Sequence, residues 1–202
     1  GIAVTKLLLA AGVQDVILCD KAGAIYEGRP ENMNEMKNEI AKITNRDRVR
    51  GGLAEAVRGR NVFIGLSVAG ALTPDMVRAM AKGSLIFAMA NPVPEIMPDL
   101  AYEAGAAAVA TGRSDFANQI NNCLGFPGIF RGALDVRAKS INDEMKLAAA
   151  GAIAGLITDK ELAPNYFIPS AMDLRVPPAV AAAIAKAAIE SGQARVKVQP
   201  EE

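Results

Sequence analysis

Four short apolar runs constrain this chain more than any other feature: Val16–Asp20, Asn61–Leu66, Leu85–Ala90 and Ala106–Ala110. Each is continuous rather than alternating, which suits strands covered on both faces, as in a parallel sheet between layers of helix. Helical patterns lie before and between them. Gly1–Ala11 reads as a buried helix stopped by Gly12. Asn32–Ile43 places Met33, Met36 and Ile40 on one side, and Leu53–Val57 is a short helix. Thr73-Pro74 pairs a hydroxyl cap with proline at the first helical position, opening a helix to about Lys82 that Gly83 ends. A further short helix is expected over Asp99–Ala104. After Gly112 the strands stop, and Phe116–Leu124, Gly128–Ala138, Asn142–Ile157 and Pro178–Ser191 all read as helices.

The core of such a fold must be aliphatic, because 51% of the 202 residues are apolar but only 4% are aromatic. Lys plus Arg equals Asp plus Glu at 22 each, so there is no charge excess to steer a phosphate backbone, and no nucleic-acid partner is expected. No apolar run reaches the length of a membrane span, so no membrane partner is expected either. Cys19 and Cys123 do not suggest a disulfide framework, and fit a reducing, cytoplasmic compartment.

In a parallel α/β sheet, ligands sit outside the carboxyl ends of the strands. The first strand ends at Asp20, nineteen residues after Gly1. A dinucleotide fingerprint expects an acid about 20 residues on, accepting from a ribose hydroxyl. Gly1, followed directly by a helix, suits the last glycine of that fingerprint, its helix N-terminus facing a pyrophosphate. The alternative is a strand-terminal acid in a plain turn. Asp20 would repel a 2′-phosphate, but Lys21 offsets it, leaving NAD and NADP open. Ser67, Ala69 and Gly70 follow the second strand; they either admit a ligand to the backbone or make a tight turn. Asn91 follows the third, able to bond a nicotinamide ribose or a substrate carboxylate, or simply to cap the strand. After the fourth, Asn118, Asn121 and Asn122 would share one face of a helix, which points to a polar pocket. Arg113 could meet a carboxylate or lie on the surface.

Together these readings give an α/β chain: a Rossmann-like, doubly wound parallel sheet lacking its first strand, followed by a helical C-terminal segment. The expected domains are 1–138, binding NAD(P) and incomplete at its N-terminus, and 139–202, a helical extension packing on it.

Ala88-Met89-Ala90-Asn91-Pro92-Val93-Pro94-Glu95-Ile96, Ala110-Thr111-Gly112-Arg113-Ser114-Asp115-Phe116, Asn118-Gln119-Ile120-Asn121-Asn122 and Phe126-Pro127-Gly128-Ile129-Phe130-Arg131-Gly132-Ala133 resemble bacterial-type malic enzymes. Ile168-Pro169-Ser170 and Arg175-Val176-Pro177-Pro178-Ala179-Val180 resemble the same family's closing segment. Ala117 departs from it, standing where proline is common. The resemblance implies oxidative decarboxylation of malate to pyruvate and carbon dioxide, with NAD or NADP and with Mg or Mn in the full-length enzyme. It implies cofactor contacts from Asp20, Ser67, Ala69, Gly70 and Asn91, which join Gly1 of the fingerprint reading, and substrate contacts from Asn91, Asn121 and Asn122. It further implies that the lysine base, the tyrosine acid and the carboxylate metal ligands lie upstream, so no catalytic or metal residue is assigned in this chain. With no His present, no imidazole replaces them. Malate and pyruvate are the implied small-molecule partners, with a homodimer or larger assembly in the full-length form.

The expectation is therefore a chain that holds the cofactor and half the substrate pocket, and is inactive alone. Two alternatives differ in kind: a non-catalytic NAD(P)-binding regulatory module, and another Rossmann oxidoreductase such as a shikimate or folate dehydrogenase. Asn91-Pro92 together with Asn121-Asn122 argues against the last.

Overall fold

The computed structural model describes residues 1–197. The expected C-terminal segment runs beyond them, so its last five positions lie outside the described residues. The chain forms two compact units, one spanning Gly1–Val109 and one beginning at Ala110.

The first unit is a layered α/β arrangement. Helix α1 (Ile2–Ala10) is followed by a two-residue hairpin, β1 (Cys19–Asp20) and β2 (Gly23–Ala24). Then come α2 (Glu35–Ala41), α3 (Leu53–Val57), β3 (Val62–Gly65), α4 (Pro74–Ala79), β4 (Leu85–Ala88), α5 (Pro98–Glu103) and β5 (Ala108–Thr111), which carries the chain into the second unit. Strands β3, β4 and β5 lie side by side in sequence order, with β3 parallel to β4 in the register Val62 to Leu85 and Gly65 to Ala88. Helix–strand alternation forces this arrangement, because each return to a parallel neighbour needs a crossover. Beneath the sheet, Phe63, Leu72, Val77, Ile86, Ile96 and Val109 pack into one buried cluster. Complete burial of a side chain such as Ile86 contributes about 1.5–3 kcal/mol.

Local chemistry sets the helix ends. Thr73 accepts from the Met76 N–H at 3.3 Å, with Pro74 opening α4 as its sequence predicts. The helix stops at Ala79, ahead of Gly83, whose φ is +77°. Gly12, at φ +96°, follows α1 in the same way.

Two expectations for the first unit need correction. Helix α1 is not buried: Thr5 is its only buried residue, because apolar side chains ring the axis and cannot all face one neighbour. The run Val16–Asp20 does not enter the parallel sheet. Only Cys19 and Asp20 pair, antiparallel, with Ala24 and Gly23. The Asp20 side chain turns the chain back by accepting from the Ala22 N–H at 2.9 Å. Gly23, at φ +98°, completes the turn; a Cβ there would lie 2.1 Å from the Gly51 carbonyl oxygen. The Val16 and Leu18 carbonyls are satisfied singly, by the Asn45 and Ile25 N–H groups, instead of by a ladder.

The second unit is helical. A short 3₁₀ turn (Asn122–Leu124) precedes α6 (Phe126–Asp135), α7 (Asp143–Ala154) and α8 (Val176–Glu190). Val136, Met145, Val176, Val180, Ile184 and Ala188 form its core. Gly128 and Gly132 let α6 close onto α8: a Cβ at Gly132 would stand 2.3 Å from the Ala181 carbonyl oxygen. Asn142 caps α7 by accepting from the Met145 N–H at 3.1 Å.

The helix expected over Phe116–Leu124 is absent apart from the 3₁₀ turn. Asn118 takes a left-handed φ of +54°, and Ile120 donates its N–H to the Thr111 carbonyl at 2.7 Å. Asparagine is a poor helix former and tolerates this conformation, so the segment bends instead of coiling. Among the described residues no helix is long and apolar enough to cross a membrane.

Candidate functional site

Asp20, at the end of β1, is the most densely contacted acid in the first unit. Its Oδ1 accepts from Arg29 Nη1 at 2.9 Å as well as from the Ala22 N–H. Its Oδ2 accepts from Arg29 Nη2 at 2.6 Å, Asn32 Nδ2 at 3.0 Å and Lys37 Nζ at 2.6 Å. The Arg29 guanidinium, then Lys37 and the Ala22 amide, hold the carboxyl well below the usual carboxylate range against the opposing effect of burial. Arg29 is buried and also donates to the Gly23 and Asn32 carbonyls. A ribose hydroxyl reaching Asp20 must therefore share oxygens already bonded to two cations. A cavity of about 200 Å³ opens beside Arg29, lined also by Ala22, Ala24, Tyr26, Pro30, Glu31 and Gly51. That is smaller than the roughly 300–1,000 Å³ of a full small-molecule site.

Gly1 caps α1, exposed, with its carbonyl accepting from the Thr5 N–H at 3.0 Å and the Thr5 hydroxyl at 3.2 Å.

The loops after β3 and β4 meet at the carboxyl end of the sheet. Ser67, Ala69 and Gly70 are all exposed there, and Gly70 has φ +69° with no atom within 4 Å of where a Cβ would stand. Asn91 is exposed at the end of the neighbouring strand. Between them the buried Glu95 accepts from the Ser67 N–H at 2.8 Å and the Ala90 N–H at 3.0 Å. Small residues, exposed backbone and an exposed carboxamide at this end of a parallel sheet suit a dinucleotide.

In the second unit the three asparagines part company. Asn118 is buried, donating from Nδ2 to the Pro164 carbonyl at 2.9 Å and accepting at Oδ1 from the Phe167 N–H at 2.9 Å. It fastens a loop through both ends of its carboxamide. Asn121 and Asn122 remain adjacent and exposed; Asn121 Oδ1 accepts from the Cys123 N–H at 3.1 Å. Arg113 pairs with Asp115 through Nε at 2.8 Å and Nη2 at 2.6 Å, and lies over the Phe116 ring. Among the described residues, no three of His, Cys, Asp and Glu gather in a way that could hold a metal ion, so no step is assigned to a metal here.

Reading the sequence did not single out Arg29 and Lys37 as partners of Asp20, or Glu95 as a link between loops. For Glu95 a signal existed: a lone acid set between Pro94 and Ile96 in the loop that follows an apolar strand.

Comparison with known proteins bears on what this geometry serves. The family profile described as malic enzyme, NAD binding domain, matches residues 5–189. The chain is 62% identical over 202 residues to the bifunctional malic/malolactic enzyme of Bacillus subtilis (strain 168), covering 100% of this chain and 49% of that protein. It is 51% identical over 195 residues to the NAD-dependent malic enzyme of Geobacillus stearothermophilus, covering 96% of this chain and 40% of the relative. Its fold superposes on the crystal structure of malic enzyme from Pyrococcus horikoshii Ot3 with a TM-score of 0.92 at 40% identity, over 100% of this chain and 48% of that one. The chain thus spans between 40% and 49% of the length of these three proteins.

Proposed function

The chain belongs to the family of malic enzyme NAD-binding domains, and from that premise we propose that it supplies the dinucleotide site and part of the substrate pocket for oxidative decarboxylation of malate to pyruvate and carbon dioxide. The observation that carries this reading is the shared end of β3 and β4, where Ser67, Ala69, Gly70 and Asn91 are presented together. Bound NAD or NADP supplies the acceptor for the hydride lost from malate.

The roles of the chain's own groups follow from their chemistry. The open backbone of Ser67–Gly70 admits a bulky ligand, as the absence of neighbours around Gly70 allows. Asn91, with a donor and an acceptor in one carboxamide, orients the nicotinamide ribose or a malate oxygen. Asn121 and Asn122 serve malate in the same way. Asp20 faces the adenosine ribose, held by Arg29 and Lys37. Gly1 lies at the N-terminus of α1, on the side of the pyrophosphate. On this reading the whole protein works in the cytoplasm as a homodimer or larger assembly, with Mg or Mn bound outside the residues described.

Ligand-observed NMR of NAD⁺ and NADP⁺ with the 202-residue chain tests the cofactor reading. Weak binding that Gly70→Val abolishes is the expected result, since a β-branched residue is strained at this φ. Absence of binding for both nucleotides would sink it. For substrate, Asn122→Ala in an active malic enzyme carrying this segment is expected to raise KM for malate or lower kcat; an unchanged kcat/KM removes Asn122 from the site.

A further inference from the structure

We infer that Glu95 is a positioning residue for the cofactor loops: its buried carboxylate holds the loops after β3 and β4 in fixed register through two main-chain amides. The inference rests on the reading that Ser67–Gly70 and Asn91 face the dinucleotide.

Glu95 is 0% exposed, yet neither oxygen is idle. Oε1 accepts from the Ser67 N–H at 2.8 Å, and Oε2 accepts from the Ala90 N–H at 3.0 Å. Ser67 belongs to the cofactor loop, and Ala90 immediately precedes Asn91. The main chain beside the carboxylate repeats the linkage: the Pro94 carbonyl accepts from the Gly70 N–H at 3.2 Å, and the Glu95 carbonyl from the Leu72 N–H at 3.1 Å. Residues 94 and 95 thus fasten four amides from both loops.

The site is shaped around this side chain. Gly65, the last residue of β3, is buried against it, and a Cβ there would stand 2.3 Å from Glu95 Cδ. The glycine is required for space, since it is absent from the positive-φ positions. The carboxylate is required for its bonding pattern. It presents acceptors only, matching two amide donors, whereas glutamine of the same size turns an NH₂ group toward one of them. Burying a carboxylate is costly, so a neutral side chain would serve simple packing better. What the carboxylate contributes is the relative placement of two loops, and small misplacements of binding groups weaken productive binding strongly.

The test uses the 202-residue chain and its Glu95→Gln, Glu95→Ala and Gly65→Ala variants, with NAD⁺ as the probe. Amide hydrogen exchange is followed at Ser67 and Ala90, with Ile184 in the second unit as a reference for the fold. In Glu95→Gln, protection is expected to fall at Ser67 or Ala90 and to persist at Ile184, while NAD⁺ affinity drops by roughly tenfold. Gly65→Ala, which pushes the carboxylate aside, should reproduce both effects. Protection retained at both amides overturns the proposal. So does lost protection with unchanged affinity, or a loss spread through the whole unit, which would make Glu95 a general stabiliser. A wild-type chain that binds no NAD⁺ defeats the cofactor reading, and with it the functional part of this inference. The exchange data separately decide whether Glu95 holds the two loops.

Discussion

Arg29 grips both oxygens of Asp20, Nη1 on Oδ1 at 2.9 Å and Nη2 on Oδ2 at 2.6 Å, with side-chain exposures of 5% and 17%. The fork fits a carboxylate as an ammonium cannot. Arg29→Ala is expected to destabilise the chain by about 2 kcal/mol in urea unfolding, less than the full cost of breaking a buried pair because Lys37 still holds Asp20. Arg29→Lys should fall between the two. Stability unchanged in Arg29→Ala would mean that the pair is neutral overall.

The same pair makes stability depend on pH. The Asp20 carboxyl lies below its ordinary value when folded, through Arg29 first and Lys37 next. Its contribution is therefore fully present above the usual carboxylate range and fades as pH falls toward the lowered folded value. Urea unfolding at pH 7, 5, 4 and 3 should show Asp20→Asn less stable than wild type at neutral pH. The gap should close progressively below about pH 4. A gap that stays constant down to pH 3 would detach Asp20 from acid sensitivity.

Two helical glycines should respond in opposite directions to alanine. At Gly132 the new Cβ would lie 2.3 Å from the Ala181 carbonyl oxygen and 2.9 Å from Ile184 Cβ, so α6 must move off α8. A loss of about 1–3 kcal/mol is expected. At Gly151, inside α7, nothing lies within 4 Å. Gly151→Ala should raise stability by about 0.5–1 kcal/mol through helix propensity alone. Thermal unfolding of the two variants side by side decides both.

Asn118 carries two burdens, its left-handed backbone and its bridge to Pro164 and Phe167. Asn118→Gly relieves the first and loses the second, while Asn118→Ala fails at both. Limited proteolysis should cut faster near residues 164–167 in both variants, with Asn118→Ala also the less stable of the pair by about 1 kcal/mol. Equal cleavage rates in wild type and variants would show that the bridge does not restrain that loop.

Much of the fold was legible in the sequence. Leu53–Val57 forms α3 with the bounds read from the chain, and Thr73 caps α4 where its hydroxyl and Pro74 indicated. The strands read at Asn61–Leu66, Leu85–Ala90 and Ala106–Ala110 contain or overlap β3, β4 and β5. The family likeness carried in Asn91-Pro92 and Asn121-Asn122 agrees with the profile match. Less was legible where an apolar or polar pattern admits two structures. Val16–Asp20 has the composition of a central strand but forms a hairpin edge, and the asparagines spaced for a helix flank a bend.

What the sequence by itself determined are the features settled within a turn or two of chain: caps, glycine stops, the alternation of helix with strand, and motifs whose spacing is local. Gly12 and Gly83 act there because only nearby backbone decides whether a positive φ is needed. Tertiary structure alone decided which distant groups satisfy the buried polar atoms. Arg29 and Lys37 converge on Asp20 from nine and seventeen positions away, Glu95 reaches Ser67 across 28, and Asn118 reaches Phe167 across 49. A buried donor or acceptor must find a partner, but its pattern in the sequence is silent about which one, since the choice belongs to the packing that brings the segments together.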